Sequence, residues 1–281
     1  MKKLFSATGL VILVFLMLMA CDGGEKMKKR VDYQNFEDVP VAAWKALSQK
    51  TVFFGHQSVG FNIIEGVEDI KNEKIDTIDL NILEAMELEN HKNGVFAHFK
   101  VGENKDPLSK INDFAERMEQ NRAAAPDVAF FKFCYVDINA ETDTQAVFNA
   151  YKETMQSLRE SFPETTFVHV TVPLRIVQMG VKAWIKKLIG KPIGGYADNI
   201  ARNRFNELLR REYSQTAPVY DLAKAESTTP DGSRCEFTRD GKAYYALVPA
   251  YTEDGGHLNA AGRKAAAEEL LVCLAELTGT H

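Results

Sequence analysis

Apolar positions along the chain follow two alternating periods. Short runs rich in β-branched and aromatic residues, at 51–54, 77–82, 95–101, 127–135, 165–172 and 218–221, predict strands. Between them, apolar residues recur three and four apart, the spacing of one helix face. Residues 59–72 follow the first strand directly. In 106–122, Asp106 can cap and Pro107 can open a helix whose inner side is Leu108, Ile111, Phe114 and Met118. The run 143–162 stops at Pro163, 199–215 ends before Pro218, and 258–277 closes the chain as an amphipathic helix. Strands alternating with helices predict an α/β fold, three layers deep (α/β/α), around a mainly parallel sheet. No repeat or low-complexity stretch interrupts 41–281, which reads as one domain.

One segment breaks the alternation. In 175–195, Lys182, Lys186, Lys187 and Lys191 are interspersed with Trp184, Ile185, Leu188 and Ile189. A surface helix whose apolar side packs on the sheet is the simplest reading. A basic helix lying on a membrane interface, or a lid over an active site, are the functional alternatives.

The first forty residues read differently from the rest. A basic start, Lys2 and Lys3, precedes an apolar run that ends at Ala20 before Cys21, the shape of a secretory signal over residues 1–20. The stretch "LMAC" resembles the lipobox of bacterial lipoproteins, which implies lipidation of Cys21 and attachment to a bilayer. Asp22 resembles the inner-membrane retention signal of enteric bacteria. The expected location is therefore the bacterial cell envelope, facing outside the cytoplasm, with 21–40 as a charged tether. Three further cysteines, Cys134, Cys235 and Cys273, allow at most one disulfide, and no Cys/His spacing points to a metal. A net charge of −5 argues against nucleic acid as partner, because a phosphate-binding surface needs a concentrated basic stripe.

Chemistry concentrates at expected strand ends, where ligands bind in open α/β sheets. "FGHQSVG" places Ser58 between a strand and a helix, where a small hydroxyl serves equally as N-cap or as nucleophile. "EDGGHLN" sets Asp254 three residues before His257 in a Gly-rich turn, so that a carboxylate can orient an imidazole, and Asn259 can cap the last helix. A hydrolase using His56, His257 and Asp254 as metal ligands, and a binding protein without efficient catalysis, are the competing readings.

An early strand-end serine combined with a late D-x-x-H resembles the SGNH (GDSL-type) hydrolase superfamily across most of the chain after the tether. "VHVTVPL" (168–174), "NRFNELLRR" and "VYDL" resemble its later landmarks, and "HQSVG" is closer to the serine block of sialate-type acetylesterases than to a literal GDSL. The resemblance implies a flavodoxin-like sheet, Ser58 as nucleophile, His257 as general base and Asp254 as its orienter. It also implies an oxyanion held by the backbone N–H of Ser58, by Gly102, and by an asparagine that this chain lacks. With Asp137 aligned to the aspartate of the family's GxND block, Val136 stands where the asparagine belongs and Cys134 where the glycine belongs. Asn139 or Asn104 is the candidate replacement. His56, Gln57, Asn104 and Asp137 are candidate substrate contacts, and His91, His98 and His169 read as structural. No cofactor is implied, and the expected substrate is a small acylated molecule, a carbohydrate or cell-envelope ester.

Overall fold

The computed structural model describes residues 32–91, 94–178, 180–181, 185, 188–189 and 193–278. The signal over 1–20, Cys21, Asp22, and Lys182, Trp184, Lys186, Lys187 and Lys191 lie outside them.

Five parallel strands form the central sheet: β1 (Val52–His56), β2 (Asn81–Glu84), β3 (Val95–Lys100), β4 (Val128–Phe131) and β5 (Thr166–Phe167), in the order β2-β3-β1-β4-β5. β6 (His169–Val170) continues from β5 after one residue and pairs with β7 (Val219–Tyr220), carrying the parallel arrangement one strand further. The strand expected at 77–82 begins four residues later, and the one expected at 127–135 ends at Phe131. Its last residues leave the ladder to form a loop over the carboxyl edge.

The alternation within β1 sets the layers. Val52 and Phe54 face one core, shared with α1 (Val41–Leu47), α2 (Val59–Glu73) and the C-terminal helix, whereas Phe53 faces the other. That second core is covered by α3 (Pro107–Gln120), α4 (Thr144–Ser161) and α5 (Tyr196–Tyr213). A short α6 (Leu222–Ser227) follows β7, and α7 (Ala260–Glu276) completes the first layer. The result is the expected three-layer α/β/α fold. Asp106 caps α3 by accepting from Ser109 N–H, with Pro107 at its first turn; Leu108 of the expected inner face is exposed, while Ile111, Phe114 and Met118 are buried.

Three features depart from expectation. β8 (Glu236–Arg239) and β9 (Lys242–Tyr245) form an antiparallel hairpin turning at Asp240 and Gly241, both with positive φ, the Asp-Gly signature of a tight turn. The expected tether is not a free lead-in over its described part. Phe36 packs on Trp44 with ring centroids 5.2 Å apart, Val39 joins the core, and Tyr33 N–H donates to the Glu276 carboxylate. In 175–195, Val177 and Ile193 near the two ends are buried, but Val181, Ile185, Leu188 and Ile189 are exposed, so the described middle of the segment does not pack on the sheet.

Candidate active site

β1 delivers Ser58 to the carboxyl edge of the sheet two residues after its end, and α2 begins at Val59. Ser58 has φ 53° and ψ −111°, the first-centre geometry of a type II′ turn, a region dominated by glycine. Its side chain makes no capping bond to α2. Instead Oγ lies 2.6 Å from Nε2 of His257. The sharp turn thus turns a potential N-cap hydroxyl outward, and the strain of that backbone is retained where the hydroxyl is aimed at the imidazole.

The Gly-rich turn before α7 supplies the partner. Nδ1 of His257 lies 2.5 Å from Oδ2 of Asp254, while Oδ1 accepts from the backbone N–H groups of His257 (2.8 Å) and Gly256 (2.9 Å). The carboxylate is therefore held by its own turn. The His257 hydrogen bond, followed by those two N–H donors, pulls the Asp254 carboxyl well below the usual carboxylate range. An ionised Asp254 fixes the tautomer that leaves Nε2 free to accept the serine proton. Ser58, His257 and Asp254 stand in the order and geometry of a nucleophile, a base and an orienter.

Tyr135, in the loop that replaces the end of the expected fourth strand, was not singled out by sequence. Its hydroxyl lies 3.5 Å from Nε2 of His257 and neighbours the Ser58 hydroxyl. Burial pushes the phenol up, partly offset by the Arg175 guanidinium. The only sequence signal was its place inside the aligned block, between Cys134 and Val136.

The remaining candidates fall elsewhere. Gly102 has φ +49°, and its N–H donates to the Asp113 carboxylate at 2.8 Å, so it does not point at an oxyanion as expected. Asn139 forms a local turn, its side-chain oxygen accepting from Glu141 N–H, and the Asn104 side-chain oxygen accepts from Lys110 Nζ. Asp137 is not a substrate contact: it is 2% exposed and accepts from Cys134 N–H, Lys105 N–H and Lys110 Nζ. The Lys110–Asp137 pair is fully enclosed and ties the loop carrying Tyr135 to α3.

Gln57 is committed to structure as well, donating to the carbonyls of Val101 and Gly102 at the exit of β3. His56 is buried beneath Ser58, with Nε2 3.1 Å from Nδ1 of His98. Burial, then the charge of Lys132 and then His98, lower its pKa to about 2, so it is neutral and out of reach of substrate. Gly60 makes that burial possible, since a Cβ there would fall 2.3 Å from the His56 ring. His169 is structural as expected, bonded to the Tyr151 hydroxyl at 2.7 Å and stacked on Tyr213. Among the described residues no group of three or more His, Cys, Asp or Glu is placed to hold a metal, so His56, His257 and Asp254 do not form the ligand set considered above. Cys134 and Cys235 carry free thiols.

No family model and no curated protein matches this chain. Among solved structures, a GDSL-like lipase from Bacteroides thetaiotaomicron is 13% identical, with a TM-score of 0.45, over 83% of this chain and 88% of that one. The periplasmic domain of a lipopolysaccharide acetyltransferase from Salmonella ser. Paratyphi A is 11% identical, with a TM-score of 0.45, over 79% and 83%. A carbohydrate esterase family 3 protein from Talaromyces cellulolyticus is 13% identical, with a TM-score of 0.44, over 81% and 96%. At such identities and scores the functional reading is left to the geometry of the site.

Proposed function

We propose that this chain is an SGNH-type serine esterase that removes a short acyl group, such as acetyl, from a carbohydrate or cell-envelope ester. The observation that carries the reading is the continuous line from Ser58 Oγ through His257 to Asp254, with Ser58 on a strained turn. His257 takes the serine proton through Nε2 as Oγ attacks the acyl carbon, and Asp254 stabilises the imidazolium. In this mechanism the backbone N–H of Ser58, the residue before α2 begins, donates to the developing oxyanion, and such a donor contributes roughly 2.7–4 kcal/mol in the transition state. The imidazolium returns its proton to the leaving alcohol. Water, activated by the same base, then releases the acid and restores Ser58.

The envelope address belongs to this proposal, with Cys21 lipidated and the catalytic edge outside the cytoplasm. The carbohydrate part rests on the resemblance and on the envelope address. Hydrolysis of p-nitrophenyl acetate by the purified chain, against Ser58→Ala and His257→Ala, tests the mechanism. Loss of activity in both variants together with fluorophosphonate labelling of Ser58 is expected; equal rates in all three proteins would refute it. Labelled fatty acid recovered on the wild-type chain but not on Cys21→Ser tests the address.

A further inference from the structure

The line of Ser58, His257 and Asp254 leaves one requirement of acyl transfer unmet. A tetrahedral oxyanion needs preorganised donors in addition to the Ser58 N–H, because each is aimed at charge that appears only in the transition state. Of the expected sources, Gly102 N–H is committed to Asp113, while Asn139 and Asn104 are each held through the side-chain oxygen, which accepts from Glu141 N–H and from Lys110 Nζ. Val136 has no polar side chain to offer.

We propose that the Tyr135 hydroxyl is the side-chain oxyanion donor of this enzyme, standing in for the absent asparagine. It rests on the serine-esterase reading, and four observations support it. The hydroxyl sits at the Ser58–His257 junction, 3.5 Å from Nε2 and beside the serine hydroxyl. The phenol carries a proton to donate, since burial disfavours its ionised form.

The ring is locked in place. Arg202 Nε donates to the Tyr135 carbonyl at 2.8 Å, and Cys134, next to it, is held through its N–H by Asp137 and through Sγ by Gln57 O. Gly256 meets the ring edge so closely that a Cβ there would lie 2.9 Å from Cζ. Donors held this way need no reorganisation when charge develops.

The fourth observation is electrostatic. The guanidinium carbons of Arg175 and Arg202 stand 5.0 and 5.9 Å from the Tyr135 ring centroid. Arg175 is tied to the catalytic turn by donating to the carbonyls of Gly255 and Asp254. Positive charge on the ring strengthens the O–H as a donor and favours negative charge gathering at its tip. The catalytic balance is simple: the phenol lends its proton in a hydrogen bond and keeps it, while the transferred proton moves from Ser58 to His257 and on to the leaving alcohol.

Tyr135→Phe removes the hydroxyl and keeps the ring. Its kcat should fall about 100-fold with KM little changed, the cost of one oxyanion donor. The thermal midpoint should stay near that of the wild type. The loss should be the same on p-nitrophenyl acetate and on ethyl acetate, because an oxyanion forms in both whatever the leaving group. Affinity for a phenylboronic acid, which forms a tetrahedral anion on serine, should weaken in parallel with kcat. A Tyr135→Phe enzyme with undiminished kcat overturns the proposal while Ser58→Ala still abolishes turnover. A loss confined to ethyl acetate also overturns it, by placing the phenol on the leaving group. If Ser58→Ala is as active as the wild type, the serine-esterase reading has failed and the role of Tyr135 fails with it.

Discussion

Ser58 occupies a backbone conformation that suits glycine, so replacing it separates the demands of folding from those of chemistry. At φ 53° and ψ −111° its Cβ crowds the neighbouring peptide, and such strain costs about 1–3 kcal/mol. Ser58→Gly removes the strain, while the greater freedom of glycine in the unfolded chain takes back about 0.4–1 kcal/mol. Ser58→Ala keeps the strain. Both lose the hydroxyl's hydrogen bond to His257, worth about 0.5–1.5 kcal/mol, so the difference between them isolates the backbone. Ser58→Gly should therefore be the more stable by about 1 kcal/mol, a rise of about 2–4 °C in melting temperature for a domain of this size. Calorimetry or urea denaturation of the two variants reads the difference, and both should lack esterase activity. If Ser58→Ala proves equal to or more stable than Ser58→Gly, the backbone at this turn is not strained and the argument that the chain holds its nucleophile against its folding preference is wrong.

Asp254→Asn should leave the fold intact but lower kcat by about 10³–10⁴-fold, because the amide no longer enforces the tautomer at His257; steady-state kinetics on p-nitrophenyl acetate checks this. Lys110→Met leaves the Asp137 carboxylate enclosed with only two backbone donors, and should cost about 3 kcal/mol in urea denaturation while loosening the loop that presents Tyr135. A loss under 1 kcal/mol would show that the pair is open to water. Stability should peak near pH 6.5. Burial depresses His56 to about 2 and His169 to about 3 from 6.5, and raises Glu226 to about 8 from 4.5. Between pH 4.5 and 6.5 unfolding takes up two protons at these histidines and releases one from Glu226, so the three groups together make stability rise with pH by about 1.4 kcal/mol per unit. Above 6.5 Glu226 alone of these three remains to titrate, and its contribution makes stability fall at a similar slope until about pH 8. Glu226→Gln should abolish that alkaline fall in denaturation curves taken across the range.

The parts of the site legible in the sequence were those fixed by local chain geometry. Asp254 and His257 share one turn, and Ser58 sits at a strand-to-helix junction, so local spacing together with the family resemblance pointed to three side chains that the structure brings together. Groups whose role depends on a distant partner were not legible. Gly102 is directed by Asp113, eleven residues on, and no property of a glycine announces where its N–H will point. His56 is buried because Gly60 lacks a side chain and His98 arrives from the neighbouring strand. Tyr135 drew no notice in the sequence, since an aromatic in an apolar run carries no mark of a site; its ring is mostly covered, and its edge and hydroxyl meet His257. For the fold, Asp240 and Gly241 did carry a readable hairpin signal. The packing of Phe36 on Trp44 did not, because one aromatic among charged neighbours has no period to reveal it.

The hydrogen bond between Ser58 and His257 joins residues 199 positions apart, and the C-terminal helix that follows His257 packs in the same layer as the helix that follows Ser58. Synthesis runs from one to the other. A growing chain carries Ser58 with no imidazole beside it until His257 has been made and α7 has docked against α2. On the proposed mechanism, truncation before His257 should yield a fragment without esterase activity rather than a weakened enzyme. Nucleophile and base thus meet through the closing of one layer of the fold rather than through neighbouring sequence.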